Sequence, residues 1–499
     1  MKIKLIAIAA LMAAAGSAHA LSAAAIDAAR TAGTLKEIRL TGSSAYRLAI
    51  AGHIQTICQT GTIDVFFSAA NLIATGDGAG SGVRAYSCTL AKALGSYPIG
   101  TNVLIHKRDS GGSIVGVANV ATNDATTLMM KVSAASCSAS SAFTNITTAT
   151  STCSQTEAVA PDAGFSDLEP QILNQVPNLI DNVLGNPGSG SKLPVDISTL
   201  TVQPYWQAIF GVAVNLKAYR ALQAAQGLNT ALDDDANRPS LSKNWIRTAL
   251  TGNVDTSAAG LQGWGLVLGT GGNGKTVNIC RRDPGSGTQA ATQAFFLQNP
   301  CNSAYNLSAV RQAGSLKPAP DANTGGVLVI ENSSTGDVLN CLGAADDNAS
   351  TAYAFGVFSH ENVETGKKWR YVRVDGALPN RFIPGTVPSG AVNGSYDFVA
   401  EGTMQWNTAK LALPANAALL AALQDIATNS NTPDAIRSLP VTGSANSPEG
   451  VMASPLVWSN IQAQWTLLDA TNQQPYASRQ LHSLQNNGVS NSCSIKTTF

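Results

Sequence analysis

Short apolar runs alternate with longer amphipathic stretches along this chain, and that alternation predicts most of its elements. Residues 38–40, 103–106, 209–214, 276–280 and 326–330 are short, mostly apolar and strand-like, which predicts strands. Residues 216–226, 242–250, 288–297 and 416–428 are longer and predict helices. Gly/Pro/Ser-rich breaks fall near 76–82, 160–164, 185–191, 269–274 and 380–394. Strands alternating with helices predict α/β architecture, and there is no internal repeat of fixed period. Residues 121–154 stand apart, dominated by Ala, Ser and Thr and carrying Cys137 and Cys153. They are expected to form a disulfide-closed surface excursion.

The N-terminus adds a compartment to that picture. Lys2 and Lys4 precede the apolar run IAIAALMAAAGS, and Ala18-His19-Ala20 supplies a small-x-small ending. Residues 1–20 are therefore expected to be a signal peptide, cleaved after Ala20. No later run of about 18 apolar residues could span a bilayer, and no Cys follows the expected cleavage site to carry a lipid. A soluble chain in the periplasm or secreted beyond it is expected.

All eight cysteines, Cys58, Cys88, Cys137, Cys153, Cys280, Cys301, Cys341 and Cys493, lie beyond that segment. An even number in an exported chain reads as disulfides. Closeness in sequence favours Cys58–Cys88, Cys137–Cys153 and Cys280–Cys301, which leaves Cys341–Cys493 as a long closure. No C-x-x-C or H-x-x-x-H spacing is present, so no metal site and no cofactor are expected. Lys plus Arg number 31, Asp plus Glu 31, and charged residues are 12% of the chain. Nothing suggests a broad basic face for nucleic acid or anionic lipid. A chain of 499 residues exceeds one ordinary core, so two or more domains are expected.

Two loops could hold a phosphate group. Residues 269–276, GTGGNGKT, match the G-x-x-x-x-G-K-[ST] pattern. That motif needs a strand before it and a helix starting at the Lys-Thr, so that helix N–H groups face the phosphates. The lead-in at 264–268 passes as a strand, but Thr276-Val277-Asn278-Ile279-Cys280 is strand-like too, and the loop reads as a hairpin turn. The second loop, Arg282-Asp283-Pro284-Gly285-Ser286-Gly287-Thr288, has the required context. A strand leads in, and Ser286-Gly287-Thr288 opens a helix whose first N–H groups can receive an anion beside the Arg282 fork. The alternative is an ordinary N-cap beside a surface Arg.

The R-x-x-x-S-G-T arrangement of Arg282, Ser286, Gly287 and Thr288 resembles the anion loop of phosphate-specific substrate-binding proteins of bacterial ABC transporters. Other stretches resemble that family in the same order: Leu40-Thr41-Gly42-Ser43-Ser44-Ala45, Ser110-Gly111-Gly112-Ser113, Gly164-Phe165-Ser166-Asp167, residues 211–215, Gly356-Val357 and residues 369–379. The resemblance covers most of the expected mature chain. It implies a two-lobed periplasmic-binding-protein-like α/β fold (type 2) with disulfide-bearing insertions. Lobe 1 would span 21–208, lobe 2 would span 209–399, and 400–499 would return to lobe 1. The implied ligand-binding set is Ser44, Ala45, Tyr46, Ser110, Gly111, Asp167, Arg282, Ser286, Gly287 and Thr288. Asp167 would accept a hydrogen bond from a protonated phosphate and disfavour sulfate, which carries no proton. The chain departs from the family at Tyr46-Arg47, where Thr-Phe is usual, and at Asp109, where a Ser is usual.

The implied function is capture of inorganic phosphate or a similar tetrahedral oxyanion, with an ABC permease as the partner such a protein serves. An enzyme is the main competing class, and the sequence offers it little. There is no G-x-S-x-G, and His53, His106, His360 and His482 are scattered, His360 being expected in an exposed loop. Asp233-Asp234-Asp235 reads as a solvated turn rather than a Ca²⁺ loop. Trp245, Trp264, Trp369, Trp406 and Trp465 read as core or lobe-interface residues. The other alternative is a secreted structural or adhesive protein that retains the fold without high-affinity binding.

Overall fold

The computed structural model describes residues 21–69, 82–139, 141–175, 178–179, 194–254, 260–301, 319–380, 390–439, 450–454, 476–478, 480–482 and 489–498. The expected signal peptide, the break at 185–191 and Trp465 lie outside the described residues, as do most of the breaks at 76–82 and 380–394.

Eight strands and four helices position the candidate site. The strands are β1 (Lys36–Gly42), β2 (Asn102–Arg108), β3 (Ala163–Ser166), β4 (Leu200–Asn215), β5 (Val277–Arg282), β6 (Val327–Asn332), β7 (Tyr353–Ser359) and β8 (Val399–Asn407). The helices are α1 (Arg47–Ile57), α2 (Ser113–Ala121), α3 (Gly287–Leu297) and α4 (Thr335–Asp347). Among the described residues fourteen strands join one sheet, in the order β6-β5-β7-β4-β8-β3-β1-β2 from one edge. It continues through Val83–Thr89, Asp64–Ser68, Ser151–Cys153 and Cys137–Ala139. The two halves of this sheet are parallel at their centres: β1 lies parallel to β2 and β3, and β5 parallel to β6 and β7.

β4 joins the halves. Its first part pairs with β8 and its last part with β7, both antiparallel, with a register shift between Pro204 and Gln207. From Tyr205 to Asn215 every residue is buried, the continuous pattern of a strand covered on both faces. The fold is α/β and two-lobed, with this strand crossing between the lobes.

Each predicted strand and helix named above is present within a residue or two of its expected core. Two other expectations are corrected. Residues 121–154 are not a surface excursion. Ser151–Cys153 pairs with Asp64–Ser68, and Cys137–Ala139 pairs with Ser151–Cys153, so the segment supplies the edge of the main sheet. Residues 264–268 are not a strand: Gly265–Leu268 is a short helix, followed by the 3₁₀ turn Gly269–Gly272. An apolar run of five residues does not distinguish the two by periodicity. The 269–276 loop therefore links a helix to β5 and is not a hairpin.

The disulfides pair Cys58–Cys88 and Cys137–Cys153 as expected, but Cys280 joins Cys341 and Cys301 joins Cys493. Cys280 lies inside β5, and α4 packs over it with Cys341 in its second turn, giving a Cα–Cα distance of 5.9 Å. Cys301 lies beyond the end of α3, where the C-terminal segment passes. Sequence proximity fails because α3 carries the chain away from Cys280 before Cys301 is reached.

Close backbone contact brings α2 to the site. Gly42 ends β1 at φ +100°, and a Cβ on Gly42, Gly116 or Gly164 would collide with the backbone of the neighbouring element. α2 is buried along its entire length because it lies directly on the ends of β1 and β3. Gly116→Ala should therefore cost about 1–3 kcal/mol in urea unfolding, by overpacking. Gly343 in α4 has open space around it, so Gly343→Ala should instead gain up to about 1 kcal/mol. Equal effects of the two substitutions would contradict this packing.

Candidate functional site

Parallel strands end in loops on one side of a sheet, and the following helices begin there. β1, β2, β3, β5 and β6 all end this way, and their loops meet where the two lobes face each other. After β1, the Ser43 N–H donates to Phe165 O at 2.9 Å. The Ser43 hydroxyl donates to Asp167 and accepts from the Ala45 N–H. After β3, the Asp167 N–H donates to Ser113 Oγ at 3.2 Å, at the first residue of α2. Gly287, the first residue of α3, lies so close to Asp167 and Ser113 that no Cβ would fit. The N-terminus of α3 thus sits on the Asp167 carboxylate, with Ser286 as its N-cap residue and no side-chain cap bond.

Arg282 comes from the end of β5 and is buried. Its Nη2 donates to Ser333 O at 3.0 Å, and Nη1 makes long contacts with Thr335 Oγ1 at 3.4 Å and Ser44 Oγ at 3.5 Å. Nε has no hydrogen-bond partner, and Asp283 Oδ1 lies 3.7 Å from it. The guanidinium therefore reaches from β5 to the loop that opens α1 in the other lobe. It also faces the N-terminus of α4, which begins at Thr335.

Charge in this region is concentrated and buried. Burial pushes the Asp167 carboxyl from 3.8 up to about 6, against the Ser43 hydrogen bond, the charges of Arg282 and Lys107, and Ser113. The Lys107 ammonium donates to Gly42 O and Ser43 O at 3.0 Å and pairs with Asp109. Arg84 holds the other oxygen of Asp109 at 2.9 Å. Asp109, a departure from the resembled family, is therefore an internal counter-ion. Arg47, the other departure, points its Nε toward Glu361 at 3.7 Å, and burial pushes Glu361 up to about 8.

The structure brings together Ser44, Asp167, Arg282, Ser286 and Gly287, with Thr288 buried in the first turn of α3. The surroundings of Ala45, Tyr46, Ser110 and Gly111 are these. Tyr46 is a core side chain whose hydroxyl donates to Trp206 O at 2.9 Å. Ala45 gives its N–H to Ser43. The Ser110 N–H donates to Gly82 O at 3.0 Å, its carbonyl accepts from Arg108, and Gly111 at φ +90° serves the turn. Ser113, two residues further on, makes the contact with Asp167. Ser43, Lys107, Ser113 and Thr335 were missed as site residues. Ser334-Thr335-Gly336-Asp337 carried a local signal, because Ser334 caps α4 by accepting from the Asp337 N–H, an N-cap pattern.

The competing features are otherwise engaged. Lys275 of the 269–276 loop donates to Asn323 Oδ1 at 2.8 Å, and β5 follows directly. Asp233 is ion-paired with Arg220 and Arg370, Asp234 caps a short 3₁₀ turn, and Asp235 pairs with Arg238. His360 is half-buried with its ring on Tyr371 at 4.6 Å, which corrects the expected exposed loop. Trp245, Trp264, Trp369 and Trp406 are buried.

No family model and no curated protein matches the chain. Solved structures similar to it include two phosphate-related proteins. An ABC-type phosphate transport receptor from Vibrio cholerae is 10% identical, over 78% of this chain and 94% of that one, with a TM-score of 0.33. A possible phosphate binding protein from Planctomyces limnophilus DSM 3776 is 9% identical, over 81% and 90%, with a TM-score of 0.31. Overlap this low carries no argument about the ligand. The two parallel half-sheets and the crossing strand are the arrangement that the resemblance seen in the sequence implies.

A carboxyl raised from 3.8 to about 6 binds more protons when folded than when unfolded, so stability falls as pH rises through about 4 to 6. About two units correspond to roughly 3 kcal/mol. Asp167→Asn keeps an acceptor for Ser43 and removes that cost. Without added anion at pH 7, the variant should be about 1–3 kcal/mol more stable than the parent, with a flatter profile between pH 4 and 6. Denaturant unfolding at pH 4, 5, 6 and 7 measures this. Parallel profiles for the two proteins would refute the assigned cost.

Proposed function

We propose that this chain is an exported solute-binding protein that captures inorganic phosphate, or a closely similar tetrahedral oxyanion, between its lobes. The observation that carries the reading is Arg282. A buried guanidinium whose Nε makes no hydrogen bond reaches across the lobe boundary toward Ser44, while the starts of α2 and α3 meet at Asp167 beside it. Helix N-termini and a forked guanidinium are complementary to an oxyanion. A carboxyl raised to about 6 by burial can share a proton with phosphate. Facing sulfate, the same carboxylate would meet a second anion with no proton between them, which disfavours sulfate. Export fits four disulfides that leave no free cysteine. An ABC permease is the proposed partner, and no catalytic step is part of the reading.

One observation favours the structural alternative. The Ile114 N–H, at the start of α2, donates to Gly285 O at 3.0 Å. A donor of the α2 terminus is thus engaged by the other lobe, as in a cleft that has lost its ligand role.

Calorimetric titration of the anion-stripped mature chain with phosphate and with sulfate separates the two. The proposal predicts micromolar or tighter phosphate binding and little sulfate response. Arg282→Ala should weaken phosphate at least a hundredfold, and Asp167→Asn should narrow the phosphate-to-sulfate ratio. No heat from either anion in a folded sample would overturn it in favour of the structural reading.

A further inference from the structure

The sheet face remote from the α1 and α2 core carries an unexplained histidine. His106 lies on β2 opposite Arg39 of β1 in a parallel register, and the same face holds Glu37. Leu104 and His106 point to the side covered by the helix Ala23–Thr31 and by the ribbon formed from Leu128–Met130 and Thr156–Ala158. That ribbon contributes Glu157, paired with Met129.

His106 is fully buried, and neither ring nitrogen has a hydrogen-bond partner. The Glu37 Oε2 atom is 3.5 Å from Nε2, beyond a good hydrogen bond. A buried imidazole whose nearest carboxylate is this far away is poorly satisfied, and a water or an ion is the usual resolution. One donor atom each from Glu37, His106 and Glu157 lies within 4.8 Å of the other two. Spacing in sequence could not reveal this, because the three residues come from three different strands.

We propose that Glu37, His106 and Glu157 bind one divalent transition-metal ion of zinc-like chemistry, independently of the interlobe cleft. One imidazole and two carboxylates form a donor set suited to such an ion, with water completing the shell. Bonds of about 2.0–2.2 Å need donors nearer one another than 4.8 Å. Glu37 Oε2 and His106 Nε2 are already 3.5 Å apart, so Glu157 is the donor that would have to adjust.

Two guanidiniums bear on the affinity. Arg30 Nε lies 2.7 Å from Glu37 Oε1, and Arg39 Nη2 lies 2.9 Å from Oε2. They hold Glu37 as a carboxylate and leave each oxygen a second lone pair, but their charge opposes a cation. Arg30 is partly exposed and also pairs with Asp27, so it can withdraw. The site should therefore bind in the micromolar range rather than more tightly.

The test titrates Zn²⁺ into tag-free mature protein, previously dialysed against EDTA, by calorimetry, with a parallel thermal shift. One-to-one binding with a micromolar Kd is expected. Glu157→Gln, on a partly exposed ribbon, should keep the fold and weaken Zn²⁺ at least tenfold, and His106→Gln should do the same. Absence of Zn²⁺ heat would overturn the proposal, as would unchanged binding in Glu157→Gln. A nitrogen-15 spectrum showing His106 doubly protonated and unaltered by Zn²⁺ would overturn it too, leaving an imidazolium clamped between two carboxylates.

Discussion

Asp167 takes its carboxylate out of water at the point where the two lobes meet, and the surrounding protein has to replace that water. Five groups do so: the Ser43 hydroxyl, the start of α2 at Ser113, the start of α3 at Gly287, and the charges of Arg282 and Lys107. They come from the ends of β1, β2 and β5, so with β3, which carries Asp167 itself, the carboxylate depends on four strands ending on the same side. Glycine at 287 follows directly, since any side chain would displace Asp167 or Ser113. The contact among Gly42, Gly116 and Gly164 has the same origin, because it lets α2 approach the strand ends closely enough for Ser113 to arrive.

Burial is still not fully compensated, as the upward shift of Asp167 shows. That residual cost bears on motion. Opening the lobes about β4 would return Asp167 and Arg282 to water and would break Ile114–Gly285 and the Arg47 contacts with Glu361 and Asn362. An anion that bridges Arg282 and Asp167 stabilises only the closed arrangement. Its differential affinity for the two states is what would shift their populations.

The parts of the fold that local sequence determines were the parts legible in it. β5, its Pro-Gly turn and α3 are contiguous, so Arg282 to Thr288 could be read as a strand, a loop and a helix start. The strands in 38–40, 103–106 and 209–214 are similarly local. Ser43 and Ser113 were not legible as site residues, because they reach Asp167 across 124 and 54 positions. Several serines near each glycine looked equivalent until the backbone direction was known, and Ser110 was taken where Ser113 makes the contact. The disulfides divide the same way. Cys137–Cys153 is closed by neighbouring strands, whereas Cys301–Cys493 spans 192 positions and depends on where the C-terminal segment runs. Residues 121–154 look like low-complexity coil because their strands are short and gain their order from pairing with Asp64–Ser68.

The central claim is that one anion is held between Arg282 and Asp167. A crystal structure of the mature chain grown with phosphate tests it most directly. The account predicts a tetrahedral anion within about 3 Å of both the Arg282 guanidinium and the Asp167 carboxyl, with the Ser44 hydroxyl or the first N–H groups of α3 completing its contacts. Crystals grown at high phosphate that show no anion between these two side chains, with Ile114 still bonded to Gly285, would contradict it.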